Sequence, residues 1–369
     1  MMPLTIGIGL ILVLLTSTFG SENLSVLYEG IRDLKKSELH LHLGGSYPLA
    51  FLESIATSSQ MKELSQYLEM INQDNLLNYH EAFKVFPLIG NIVDTEFKVS
   101  QGMEWLCYDL LKENIVYAEI RTGLKDYGNG FESYLLSLLS AIDMAQVNVA
   151  KQIGMSKSQV VKEVFNAKLI LSIRRNTPIE DVRKTVDLAI KYAGRGVVGI
   201  DISGDSILGE GEEHYRQVVT EVRKVKEMKD NLGVVLHIGE TFEEQQQLQE
   251  ILDFQPDRIG HGVCLSEDAR LHILEKGIPV EVCLTSAYMA KMLKTRQDVH
   301  PWLLEYFRNG HPISIATDDP LVFNVNLSHE LFYAARILGY TKAEELQDLT
   351  QRAACMRLDM MVKNQCAKI

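Results

Sequence analysis

The chain is poor in cysteine and in positive charge. Its five cysteines, Cys107, Cys264, Cys283, Cys355 and Cys366, are odd in number, widely spread and form no Cys-x-x-Cys pair. That spacing argues against a disulfide framework and against a cysteine-based zinc site. Lysine and arginine number 37 against 49 aspartates and glutamates, giving a net charge of −12. Nucleic acids and anionic membrane surfaces reward a basic patch, so neither is an expected partner. Repeats, low-complexity tracts and Pro/Gly/Ser-rich linkers are also missing. One domain is therefore expected, and 46% hydrophobic with 23% charged residues suits a sizeable core.

Charge is absent altogether before Glu22. Residues 5–15 form an apolar run with glycines, and residues 16–21 are small and polar apart from Phe19. Thr18 and Gly20 suit a cut near Ser21. This pattern reads as a secretory signal peptide over residues 1–20, with residues 21–369 as the mature domain. The expectation is a secreted or cell-envelope protein with no stable membrane insertion once the leader is removed. A cytoplasmic protein with an uncleaved or misassigned start is the alternative. Nothing in the sequence marks an oligomeric interface.

What is present is a set of histidines and carboxylates at the ends of apolar runs. In Ser37-Glu38-Leu39-His40-Leu41-His42-Leu43 the alternation predicts a strand with His40 and His42 on one face and the leucines on the other. Two neutral imidazoles side by side make a metal pincer. Val234-Val235-Leu236-His237-Ile238-Gly239-Glu240 ends in a histidine with a carboxylate three residues on. His261 sits between Gly260 and Gly262, where backbone can approach a ligand closely. The run ending in Asp318-Asp319-Pro320 places two like charges together, which repel unless a cation or donor lies nearby.

Short apolar runs predict strands at 38–43, 116–121, 167–173, 197–202, 233–237, 258–261, 279–283 and 312–316. Helical spacing appears between them, for example at 95–112, 179–192, 212–229, 242–252 and 267–276. Eight strands alternating with helices predict an α/β fold, a single (β/α)8 TIM barrel with extra helices in the long first crossover, 44–115. A doubly wound open sheet is the runner-up. In a barrel His40, His42, His237, His261 and Asp318 all fall at or near the carboxyl ends of strands, where barrel enzymes build their sites. Three histidines and a carboxylate suit one zinc ion with a position left for water, whose pKa zinc lowers to about 7. Glu240 and His261 remain for acid–base work, and the reaction class is metal-assisted hydrolysis.

The chain resembles the adenosine/AMP deaminase family of metallohydrolases. The resemblance runs from Lys36 to about Asn324 through SELHLHLGGS, VYAEIRTG, GIDISGDS, LHIGE, PDRIGHG, VEVCLTS and ISIATDDP. PDRIGHG and PVEVCLTS are similar to the adenosine deaminase-like subgroup that acts on N6-methyl-AMP. The resemblance implies one zinc ion per chain held by His40, His42, His237 and Asp318. It implies Glu240 as the proton donor to purine N1 and His261 as the group orienting or deprotonating water. Asp319 would meet N7, the backbone N–H of Gly204 would meet N3, and His42 would also face the substrate.

The expected reaction is hydrolytic deamination of adenosine or a close 6-aminopurine nucleoside, giving the inosine-type product and ammonia. An aminohydrolase for N6-methyl-AMP or AMP, or an idle secreted signalling protein on the same fold, are the alternatives. Two departures bear on the 5′ end of the substrate. Gly44 stands where the adenosine enzymes carry Asp and the methyl-AMP subgroup Asn. The subgroup's phosphate-handling Ser/Thr-Thr-Pro-Arg/Lys turn is replaced by Thr122-Gly123-Leu124-Lys125. Phe83 and Phe86 resemble an apolar gate over the purine pocket.

Overall fold

A computed structural model describes residues 21–72, 83–204, 212–227, 232–240, 247–289 and 300–361. The expected leader, residues 1–20, lies outside the described residues. Eight parallel strands pair in chain order. They are β1 Lys36–His42, β2 Ile115–Thr122, β3 Asn166–Arg174, β4 Val197–Ser203, β5 Gly233–Ile238, β6 Arg258–His261, β7 Val280–Val282 and β8 Ile313–Ile315. The end of β8 returns to β1: His42 N donates to Asp318 O at 2.9 Å, and Asp318 N to His40 O at 2.9 Å. The sheet is a nearly closed TIM barrel with helices between its strands.

Among the described residues the first crossover carries the α-helices Leu49–Ile55, Ser58–Asn72, Val85–Ile92 and Glu96–Lys112. Thr95 starts the last of these by accepting from Lys98 N, and Glu96 in the first turn suits the helix dipole. The expected helices at 179–192 and 267–276 match Ile179–Tyr192 and Glu267–Lys276. Helix Glu212–Glu227 ends before residues 228–229, and helix Gln247–Phe254 begins after residues 242–246; both excluded stretches lie outside the described residues.

A helix before the barrel, Ser21–Asp33, buries Leu24, Leu27 and Ile31 in the core. The Lys36 ammonium closes its end by donating to the carbonyls of Ile31, Arg32 and Leu34 at 3.1, 2.9 and 3.0 Å. At the other end of the chain Leu358 is fully buried against Ile170, Val198 and Val235 of β3, β4 and β5. Among the described residues no helix is long and apolar enough to cross a membrane.

Candidate active site

Strand β1 sends His40 into the barrel, where it is fully buried, and Leu41 into the main core, while Leu39, within an irregularity of the β1–β2 pairing, packs on Tyr117 and Met356 instead of joining Leu41 as the alternation predicts. His237 near the end of β5, His261 at the end of β6 and Asp318 just after β8 converge on it. One ligand atom from each of His40, His237, His261 and Asp318 lies within 4.8 Å of every other. His42 joins the group, with its Nε2 3.1 Å from His237 Nε2 and 3.5 Å from Asp318 Oδ1. His261 and Asp318 hold left-handed backbone angles, φ +68° and +64°. Non-glycine residues rarely adopt this conformation, and it is concentrated where a fold must aim a side chain.

Gly260 makes the approach possible. A Cβ there would lie 2.9 Å from His40 Cε1 and 3.5 Å from His237 Nδ1, so any side chain would force the rings apart. Gly45 plays the same part for Asp319, since a Cβ there would fall 1.9 Å from Asp319 Oδ1. Gly44 is different. Its Cβ position is 3.8 Å from Phe86 Cδ1, an ordinary contact. Phe86 stacks at a tilt on Phe83 with ring centroids 5.9 Å apart, and it packs against the core.

The ring tautomers follow from carboxylates that can only accept. His40 Nδ1 lies 2.7 Å from Glu281 Oε2, and His237 Nδ1 lies 2.8 Å from Asp201 Oδ1. Each Nδ1 therefore carries the proton, and each Nε2 presents a lone pair to the centre. His40 Nε2 and His261 Nε2 are buried without a hydrogen-bond partner. Asp318 is steadied by Ser286, whose Oγ donates to Oδ2 at 2.5 Å. Converging lone pairs beside a carboxylate are costly alone and fit a divalent cation of the zinc type.

Burial, followed by the neighbouring His237, holds His42 well below the usual histidine range. Burial and then His40 do the same for His237. His261 is lowered to about 4, chiefly by burial. The Asp319 carboxyl is pushed well above its usual range by burial, then by Asp318 and Glu240. Its Oδ1 has no hydrogen-bond partner. Glu240, two residues past β5, places Oε1 3.7 Å from His261 Nε2. The expected residues thus come together in one place.

Gly204, at φ +89°, follows β4, and its carbonyl accepts from Arg175 Nη1 at 3.0 Å. Arg175 also donates to His237 O at 2.7 Å, tying the ends of β4 and β5 together. Sequence reasoning assigned no role to Arg175, Asp201, Glu281 or Ser286. Three of these stand within motifs already noted. A carboxylate inside an apolar strand, as in Gly199-Ile200-Asp201-Ile202, is the signal that could have found Asp201 and Glu281, because it must be partnered.

The family model described as Adenosine deaminase matches residues 35–365. The chain is 31% identical to Arabidopsis thaliana N6-mAMP deaminase over 86% of this chain and 90% of the relative. It is 26% identical to Clostridium botulinum adenosine deaminase, over 84% and 88%. The crystal structure of Arabidopsis N6-mAMP deaminase superposes with a TM-score of 0.74 at 28% identity, covering 91% of this chain and 98% of that one. Arabidopsis ADAL complexed with GMP gives 0.76 at 29% identity, over 91% and 96%. With the family model covering most of the chain and the barrel and its His/Asp cluster in place, the chain belongs to the adenosine deaminase family and is a hydrolytic deaminase.

Proposed function

We propose that this enzyme hydrolyses the C6 amine of a purine nucleoside 5′-monophosphate, AMP or its N6-methyl form, using one zinc ion per chain. The observation that carries the metal is the cluster of buried imidazole lone pairs around Asp318. His40, His42, His237 and Asp318 would hold the ion, because Glu240 faces His261 and leaves that pair for proton transfer. A bound zinc supplies Lewis acidity that makes water nucleophilic near neutral pH. His261, kept neutral by burial, takes the proton of the water attacking C6. Glu240 gives a proton to N1. Asp319, whose carboxyl burial pushes well above its usual range, would donate to N7, and the Gly204 N–H would meet N3. The proton taken by His261 passes to the amine, which leaves as ammonia or methylamine, while the new hydroxyl returns a proton to Glu240 and the 6-oxopurine remains.

The phosphate is supported by two cations at the barrel mouth. Lys125 follows β2, and Arg174 is the exposed last residue of β3. Arg174 Cβ lies 3.3 Å from the Cβ position of Gly204. Packing around Lys125, then the charge of Arg174, lower the lysine's pKa. Like charges held together favour an anion between them. Gly44 offers no carboxylate to repel one. The Arabidopsis relatives in complex with IMP and GMP support a nucleotide. Adenosine is the second reading, favoured by Phe86 beside Gly44, which offers the 5′ end an apolar neighbour.

The test is turnover of AMP, N6-methyl-AMP, adenosine and 5′-deoxyadenosine, followed by ultraviolet absorbance. A nucleotide should be preferred at least tenfold in kcat/KM. Charged hydrogen bonds contribute about 1.5–3 kcal/mol, so replacing Lys125 and Arg174 together by Ala should cost AMP roughly tenfold or more and leave adenosine nearly unchanged. Preference for adenosine would overturn the phosphate, and no turnover of any purine would overturn the substrate class. We also propose export through residues 1–20, which requires the mature protein to begin close to Ser21 by N-terminal sequencing.

A further inference from the structure

Below the histidines the barrel interior is charged. Glu38, Glu119, Arg121, Asp201, Arg258 and Glu281 are each at most 1% exposed, although barrel interiors are ordinarily filled by branched apolar layers. Arg258, the first residue of β6, spreads its planar fork over four oxygens, the most distant being the Leu39 carbonyl at 3.4 Å from Nη2. Nε donates to Glu281 Oε1, Nη2 to Glu119 Oε2 and Nη1 to the carbonyl of Met356, all at 2.6 Å. Glu119 also accepts from the backbone N–H of Leu358 at 2.8 Å. The Leu358 side chain closes the barrel bottom, its methyls 2.4 Å from the Cβ position of Gly233 and 2.6 Å from that of Gly199. At the other end of the chain of contacts, Glu281 Oε2 meets His40 Nδ1 at 2.7 Å and Arg121 Nη2 at 2.5 Å.

We propose that Arg258 is a positioning residue of the metal site, through which the C-terminal turn Met356–Leu358 sets the orientation of His40. The inference rests on the reading of His40 as a metal ligand. Its geometry is a fixed sequence of short contacts: the turn grips Arg258 and Glu119, Arg258 pins one oxygen of Glu281, and the other oxygen is thereby aimed at the imidazole. Bidentate and forked arginine contacts fix planes as well as distances. Lysine, with a single nitrogen, cannot hold all four oxygens. A cavity in place of the Leu358 side chain would loosen the same plug from below.

The test measures zinc affinity of metal-stripped protein by chelator competition, well below each variant's Tm. Compared are wild type, Arg258→Lys, Leu358→Ala, Leu358→Met and the control Leu138→Ala, a fully buried helix residue absent from these contacts. Groups that orient metal ligands typically alter affinity about 10–100-fold. Arg258→Lys and Leu358→Ala should weaken zinc at least tenfold, Leu358→Met should keep it, and Leu138→Ala should lower Tm while leaving affinity unchanged. If Arg258→Lys fails to fold, Leu358→Ala against Leu138→Ala decides. Affinity within twofold of wild type in the floor variants, or an equal loss in Leu138→Ala, would overturn the proposal. A wild type that binds no zinc would instead overturn the metal site itself.

Discussion

The mouth and the floor of this barrel both bury ionisable side chains, and they differ in how those groups are satisfied. On the floor Arg258 spends its donors on Glu281, Glu119 and the Met356 carbonyl, and the carboxylates answer with contacts on both oxygens. At the mouth His40 Nε2, His261 Nε2 and Asp319 Oδ1 have no hydrogen-bond partner. Arg121 lies between the two levels: its Nε lacks a hydrogen bond yet stands 3.6 Å from Asp201 Oδ2. Buried polar atoms are almost always paired in a folded protein. A saturated charge layer is therefore scaffold, and an unsaturated one a few ångströms above it is a place prepared for something to bind.

The contrast breaks hardest at Glu240. Glu240→Gln keeps the shape and removes the proton, so turnover should fall by the roughly 10²–10⁴ typical of a general acid. Zinc content by elemental analysis should stay near that of wild type. Loss of zinc would move Glu240 from proton donor to support of the metal.

Stability should be lost on the floor and not at the mouth. Glu281→Ala leaves Arg121 and Arg258 short of a buried partner and should cost about 3–5 kcal/mol in urea unfolding of metal-free protein. Burial and two arginines act in opposite directions on Glu281, and the arginines win, holding it well below the usual carboxylate range. A loss under 1 kcal/mol would mean that the floor is looser than its distances imply.

Within the mouth, Gly45→Ala acts on Asp319. The added methyl overlaps Asp319 and so displaces the carboxyl from its proposed place against N7. A loss of about tenfold in kcat/KM is expected for the purine, the size of one hydrogen bond. A 7-deazapurine substrate, which has no N7 acceptor, should show no such loss. Equal losses for both would place Asp319 elsewhere.

The smallest effect is on pH dependence. In metal-free protein His261 has a folded pKa of about 4, below the roughly 6.5 of an exposed histidine. Between those values the unfolded chain holds more protons at this residue. Stability is therefore full above pH ~6.5 and lost as pH falls toward 4. His261→Asn should flatten the fall in Tm across that window, and an unchanged slope would remove His261 as its source.

The mouth was largely legible in the sequence and the floor was not. The strand ends fell within two residues of expectation because short apolar runs between amphipathic ones leave little choice of period. The site residues stood out because histidines and paired aspartates at strand ends are locally improbable. Glu38, Glu119, Arg121, Arg258 and Glu281 also lay inside the expected strands. Their meaning depends on barrel closure, which brings Glu281 to His40 across 241 positions. Composition and periodicity carry no such pairing. The proposed 5′ reading was out of reach for a similar reason: Lys125 and Arg174 come near enough to feel each other's charge only where β2 and β3 lie side by side.

The proposed ligands His40, His42, His237 and Asp318 are expected to hold a single metal ion at the mouth. Zinc titration of metal-stripped protein, followed together by calorimetry, melting temperature and activity, tests it most directly. Saturation near one equivalent per chain is expected, with a rise in Tm because the ion binds the folded state and activity that returns in proportion to bound zinc. Saturation near two equivalents, or full activity in the stripped protein, would contradict it.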